Sequence, residues 1–140
     1  MTVALAIAIA GTLLTSVVSA EAADAPCASS ASACVDLSSH EAWLMHNGQV
    51  TYGPTPITSG RRGQETPVGR FTVKWKDLHH RSSEYHNAPM PYSVFFTSTG
   101  VAFHEGSLYQ QSAGCVHLGH TAAATFYRQL AVGQIVQVVP

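Results

Sequence analysis

The sequence predicts a mainly β protein, a β-sandwich or partly open barrel with one helix before the last strand. Three observations point there. From Val35 onward apolar and polar residues alternate in short runs, those runs are broken at close intervals by Gly, Pro, Asn and Ser, and only one stretch, near the C-terminus, has helical spacing. With 140 residues and 46% hydrophobic residues the chain fits one domain that buries its own core. Seven Lys+Arg against eight Asp+Glu leave no charge run to hold a nucleic acid or an anionic membrane.

Residues 1–20 read as a signal peptide, because Val3 to Leu14 is almost wholly apolar and the small residues up to Ala20 suit cleavage. The chain is therefore expected to be exported, to the periplasm or cell wall. Residues 21–34 form an N-terminal segment in which Cys27 and Cys34, seven apart across small residues, are expected to form a disulfide. Such a loop contributes about 2–3 kcal/mol in the chain-entropy account. The remaining domain is residues 35–140.

Within it, Val35 to Leu37 and Ala42 to His46 alternate, and Asn47-Gly48 supplies the turn of a hairpin into Gln49 to Tyr52. Pro54 and Pro56 are expected to interrupt the ladder before Ile57 to Ser59, and 60–63 reads as a charged loop. Phe71 to Trp75 alternates again. Lys76 to Pro91, polar and rich in His, reads as a long lid or substrate-wall loop. A second hairpin, Tyr92 to Thr97 and Val101 to His104, turns at Ser98-Thr99-Gly100 and leaves His104 at a strand end. The helix is expected to start at Thr121 as N-cap, to show Phe126, Tyr127 and Leu130 on one face, and to stop at Gly133. Gln134 to Val139 closes the fold as a strand.

Cys115 is then left without a partner, and an odd cysteine in an exported chain is a reactive thiol or an intermolecular bridge. Its setting, Ser112-Ala113-Gly114-Cys115-Val116-His117, suits a nucleophile: Gly114 permits a tight turn, and the N–H groups of Gly114 and Cys115 are candidate oxyanion donors. Six of the eight histidines fall between His79 and His120. Spacing leaves the general base open among His104, His117 and His120. His79, His80 and His86 lack zinc-ligand spacing, so neither metal nor cofactor is expected.

Three segments in order, Thr66-Pro67-Val68-Gly69-Arg70-Phe71, Ala102-Phe103-His104-Glu105-Gly106 and Ser112 to Leu118, resemble the L,D-transpeptidase catalytic domain of the YkuD type. The resemblance covers residues from Val35 to Val139 and implies a mainly β fold. It further implies that Cys115 attacks the carbonyl of the third residue of a peptidoglycan stem tetrapeptide and expels the terminal D-Ala. An amine of a neighbouring stem then resolves the thioester into a cross-link between third residues, or water does, giving a carboxypeptidase. A non-catalytic wall-binding module is the reading from another class.

By the same resemblance His104 is the base, steered by a backbone carbonyl of Glu105 or Gly106, and carbapenems are inhibitors. The carboxylate of Glu105 is expected on the surface, since strand neighbours point to opposite faces. The chain departs from the family pattern in carrying Ala113, where many members have His, and His117, where many have Arg or Asn. Ser112 keeps the motif's hydroxyl, and His117 touches substrate or steadies the turn. Met90-Pro91-Tyr92-Ser93 and Phe103 are substrate-wall candidates, and Arg61, Arg62 and Arg81 are loop cations that could meet stem carboxylates. A monomer is expected.

Overall fold

The computed structural model describes residues 11–14 and 24–140. Of the expected signal peptide only residues 11–14 fall inside that range. The elements are β1 (Ala33–Asp36), β2 (Glu41–His46), β3 (Gln49–Thr58), β4 (Gly69–Thr72), β5 (Trp75–Arg81), β6 (Pro89–Phe95), β7 (Ala102–Glu105), β8 (Val116–Leu118), α1 (His120–Gln129) and β9 (Ile135–Val139).

The nine strands among the described residues join in the order β4-β9-β1-β2-β3-β8-β7-β6-β5, with β1–β9 and β7–β8 parallel and the other pairs antiparallel. The first part of β3 pairs with β2, and its last residues, Ile57 and Thr58, pair with β8. One strand thus belongs to both halves of a curled sheet. The two edge strands are consecutive in sequence, and Val73 and Lys74 link them: Val73 N–H donates to the Gln134 carbonyl and Lys74 N–H to the Phe95 carbonyl. The mainly β, partly open barrel that the pattern predicts is the architecture found.

Several boundaries differ. Lys76 to Pro91 is no loop: β5 and β6 form a hairpin in register from Trp75↔Phe95 to Arg81↔Pro89, and only 82–88 connect them. As the edge strand β5 is largely solvated, so its side chains are polar and hide the period of two. Phe71 to Trp75 splits, because β4 pairs with β9 and β5 with β6. Pro54 and Pro56 do not end β3: Pro54 falls in the register shift opposite Ala42 to Leu44, and Pro56 pairs in register with Glu41. The helix is capped by Gly119 rather than Thr121 and gives way to extended backbone at Leu130, before Gly133.

The core lies between the halves of the sheet and α1. Phe96, Phe103 and Phe126 are fully buried and pack at 4.9 and 5.1 Å between ring centroids. Each such side chain contributes roughly 1.5–3 kcal/mol on leaving water. A second cluster of Ala31, Cys34, Trp43 and Met45 packs on the outer side of β1 and β2, where Cys27 and Cys34 form the expected disulfide. Among the described residues no helix is long and apolar enough to cross a membrane.

Candidate active site

The parallel pairing of β7 with β8 sets Phe103 level with Val116 and His104 level with His117. Side chains level with one another share a face, so Phe103 and Val116 enter the core while the two imidazoles stand together on the opposite face. Their ring centroids are 4.8 Å apart at 72°. Cys115 precedes β8 and is half-buried, with its Sγ 3.8 Å from the Gly100 carbonyl of the β6–β7 turn.

His104 is 7% exposed, and its Nδ1 lies 2.8 Å from the Glu105 carbonyl. A carbonyl only accepts, so Nδ1 carries the proton and Nε2 presents its lone pair. Burial lowers the His104 pKa to about 4; the Glu105 carbonyl opposes this, and the neighbouring His117 and His80 add to it. Burial likewise raises the Cys115 thiol above its ordinary value; the Ala102 N–H opposes that, and the Glu84 carboxylate reinforces it. Both shifts favour the uncharged forms, a thiol and an imidazole, at neutral pH.

The loop before Cys115 is held by two hydroxyls. Ser112 Oγ donates to the Cys115 carbonyl (2.5 Å) and accepts from the Gly114 N–H (3.0 Å). Thr66 Oγ1 accepts from the Gly60 N–H (3.0 Å) and donates to the Gly114 carbonyl (2.7 Å). Gly114 adopts φ 136°, which a side chain disfavours. The expectation that the Gly114 N–H is free for an oxyanion is corrected, because the Ser112 hydroxyl occupies it. The Cys115 N–H donates to no other group among the described residues.

His117 is half-buried and anchored, its Nδ1 at 3.0 Å from both Thr58 Oγ1 and the Ser107 carbonyl. Its ring fills the place of a side chain at Gly106, where an added Cβ would lie 2.6 Å from Cδ2. His120, the third candidate base, faces the other side of the sheet: Nδ1 meets Glu105 Oε1 at 3.1 Å, so the Glu105 carboxylate is engaged there.

Three substrate-wall candidates are displaced. Phe103 and Ser93 are both 0% exposed, Phe103 in the core and Ser93 Oγ donating to the Met90 carbonyl, so neither offers a surface to a ligand. Tyr92 packs on the core side against His120 and Tyr127 at 5.7 and 5.9 Å. Arg61 and Arg62 are exposed, with the Arg61 backbone tied to the Ser112 carbonyl, and Arg81 braces the hairpin tip through Asn87. Thr58 and Thr66 were not singled out by sequence, although Thr66 opens one of the three motifs, and His80 was weighed only as a metal ligand. Two open cavities, about 570 Å³ beside Arg70 and Lys74 and about 350 Å³ beside Met45 and Gln134, include neither Cys115 nor His104. Among the described residues no three His, Cys, Asp or Glu gather as metal ligands.

No curated protein matches the chain. Among solved structures, an L,D-transpeptidase from Stackebrandtia nassauensis superposes with a TM-score of 0.72 at 28% identity, over 77% of this chain and 54% of that one. An L,D-transpeptidase from Mycobacterium tuberculosis gives 0.70 at 25% identity, over 76% and 56%. The L,D-transpeptidase LdtMt1, solved in complex with imipenem, gives 0.68 at 25%, over 75% and 56%. The chain spans a little over half the length of these structures. The pattern of the YkuD family, the L,D-transpeptidase catalytic domain, matches residues 30–138, and the chain belongs to that family.

Proposed function

We propose that the protein is an exported transpeptidase that acts on peptidoglycan stem tetrapeptides through Cys115 and His104. The Cys115 sulfur attacks the carbonyl of the third stem residue as His104 Nε2 takes the thiol proton. His104 then returns that proton to the departing D-Ala amine, leaving a thioester. An amine of a second stem attacks the thioester, His104 removes its proton, and a link between third residues forms as the thiol is regenerated. The free Cys115 N–H is the backbone donor best suited to the oxyanion.

The observation that carries this reading is the neutral imidazole, fixed by the Glu105 carbonyl and sharing a sheet face with the only free cysteine. Extracytoplasmic action fits the Cys27–Cys34 disulfide, and acylation by carbapenems fits the imipenem complex of a relative. Mass spectrometry after incubation with a carbapenem tests it. One adduct per chain is expected, absent in Cys115→Ser. No adduct on folded, reduced protein overturns the nucleophile, and an adduct without D-Ala release from stem tetrapeptide overturns the substrate.

A further inference from the structure

The sheet face that carries Cys115 continues away from it as an ordered row. Trp75 pairs with Phe95 and Phe95 with Ala102, while the register of Phe103 with Val116 sets Ala102 level with Cys115. The opposite face of the same strands, with Val94 and Phe103, is core. Phe95 and Ala102 are buried, at 3% and 0% exposed, whereas Trp75 at the end of the row is 45% exposed.

Trp75 is held rigidly. Its ring lies on Phe95 at 4.0 Å between centroids and 3° between planes, and the His80 ring abuts both edge-on at 5.4 and 4.9 Å. His80 is itself fixed by Asp77, Nδ1 to Oδ2 at 3.0 Å. One indole face is therefore covered by Phe95, and the residue's 45% exposure leaves the ring open to a ligand. An aromatic ring already locked in place loses little freedom when a ligand settles on it. The apolar C–H face of a pyranose ring matches such a surface.

The spacing fits one arrangement. Three strand separations put Trp75 about 14 Å from Cys115. A stem peptide with its third carbonyl at Cys115 reaches back about 10 Å over three residues, and its ether link to the glycan spans most of the rest. We propose that Trp75 is a stacking subsite for a sugar ring of the glycan strand that bears the stem peptide, an inference that rests on the stem-peptide reading above. The other occupant open to this place is a second copy of the chain paired along the exposed β5 edge.

Two measurements test it. In the first, the tetramer of N-acetylglucosamine is titrated into the protein and followed by indole fluorescence and calorimetry; Trp43 is buried, so an emission change reports Trp75. Saturable binding is expected, weakened about tenfold in Trp75→Ala. In the second, kcat/KM is compared for a disaccharide-tetrapeptide and the bare tetrapeptide. The ratio is expected to be about ten in the native protein, to fall to near one in Trp75→Ala, and to be largely kept in Trp75→Tyr, which preserves stacking and separates it from misfolding. Equal sugar binding in Trp75→Ala, no binding to the native protein, a native ratio near one, or a Trp75-dependent dimer in sedimentation each overturns the subsite. Sugar binding at Trp75 without turnover of either peptide substrate overturns the stem-peptide reading and leaves the sugar subsite standing.

Discussion

His104 and His117 are level on adjacent parallel strands with their rings 4.8 Å apart, and each Nδ1 is placed against a backbone carbonyl, of Glu105 and of Ser107. Two imidazoles so placed cannot both be charged at little cost. Burial is the main cause that holds His104 uncharged well below neutral pH, and the neighbouring His117 adds to it.

The acylation rate is accordingly expected to hold down to about pH 4, where His104 protonates. Stopped-flow acylation by a carbapenem across pH 3 to 8 checks it. His117→Asn removes a neighbouring charge that lowers the His104 pKa, so the acid limb moves up, yet stays below 6.5 because burial is the larger cause. A native midpoint near 6.5 would mean that His104 is solvated or ion-paired with a thiolate.

Stability carries the same signature. The folded pKa of His104, about 4, lies below its ordinary 6.5, so the unfolded chain binds the proton first as pH falls. From pH 6.5 to 4 the protein should lose roughly 3 kcal/mol through this group, with no further loss below 4. Urea unfolding at several pH values should show that slope in the native protein and its absence in His104→Leu.

Ser112→Ala leaves the Gly114 N–H and the Cys115 carbonyl without their partner. The expected loss is about 1–3 kcal/mol of stability and at least about tenfold in acylation rate, since the turn that aims the sulfur loosens. Thr66→Val should act alike by releasing the Gly60 N–H and the Gly114 carbonyl. Thermal melts and single-turnover acylation read both, and rates equal to native in both variants would show that the hydroxyls do not hold the nucleophile.

Gly106→Ala drives a methyl group into the His117 ring. The ring must leave Thr58 and Ser107, so the substitution should reproduce the pH shift of His117→Asn and add a stability loss of about 1–3 kcal/mol. Unchanged pH dependence would show that the His117 anchor has no bearing on the base.

Removing the disulfide with Cys27→Ser and Cys34→Ser should cost about 2–3 kcal/mol in urea and leave carbapenem acylation at Cys115 intact, because the bridge packs on the outer side of β1 and β2. Loss of acylation at full occupancy of the folded state would contradict that separation.

β9 was legible because its alternation is the direct trace of one solvated and one buried face, and β2 and β6 because their apolar runs end at turn residues; all three lie close to their expected places. β5 was not, since an edge strand with solvent around it has no apolar face to advertise, and β8 was too short to show a period. The unpaired Cys115 could be read from the cysteine count. The juxtaposition of His104 and His117 could not, because it depends on β7 pairing in parallel with β8 across a loop of ten residues, 106–115, a long-range register that no local pattern encodes. For the same reason Ser93 and Phe103 seemed reasonable wall residues: a strand's period gives two faces and not which of them meets the core.

The raised pKa of the Cys115 thiol has a bearing on survival as well as on turnover. Peroxides and disulfides consume thiolates far faster than thiols. A thiol held in its uncharged form by burial is therefore expected to be consumed more slowly by such oxidants than a solvated one at the same pH.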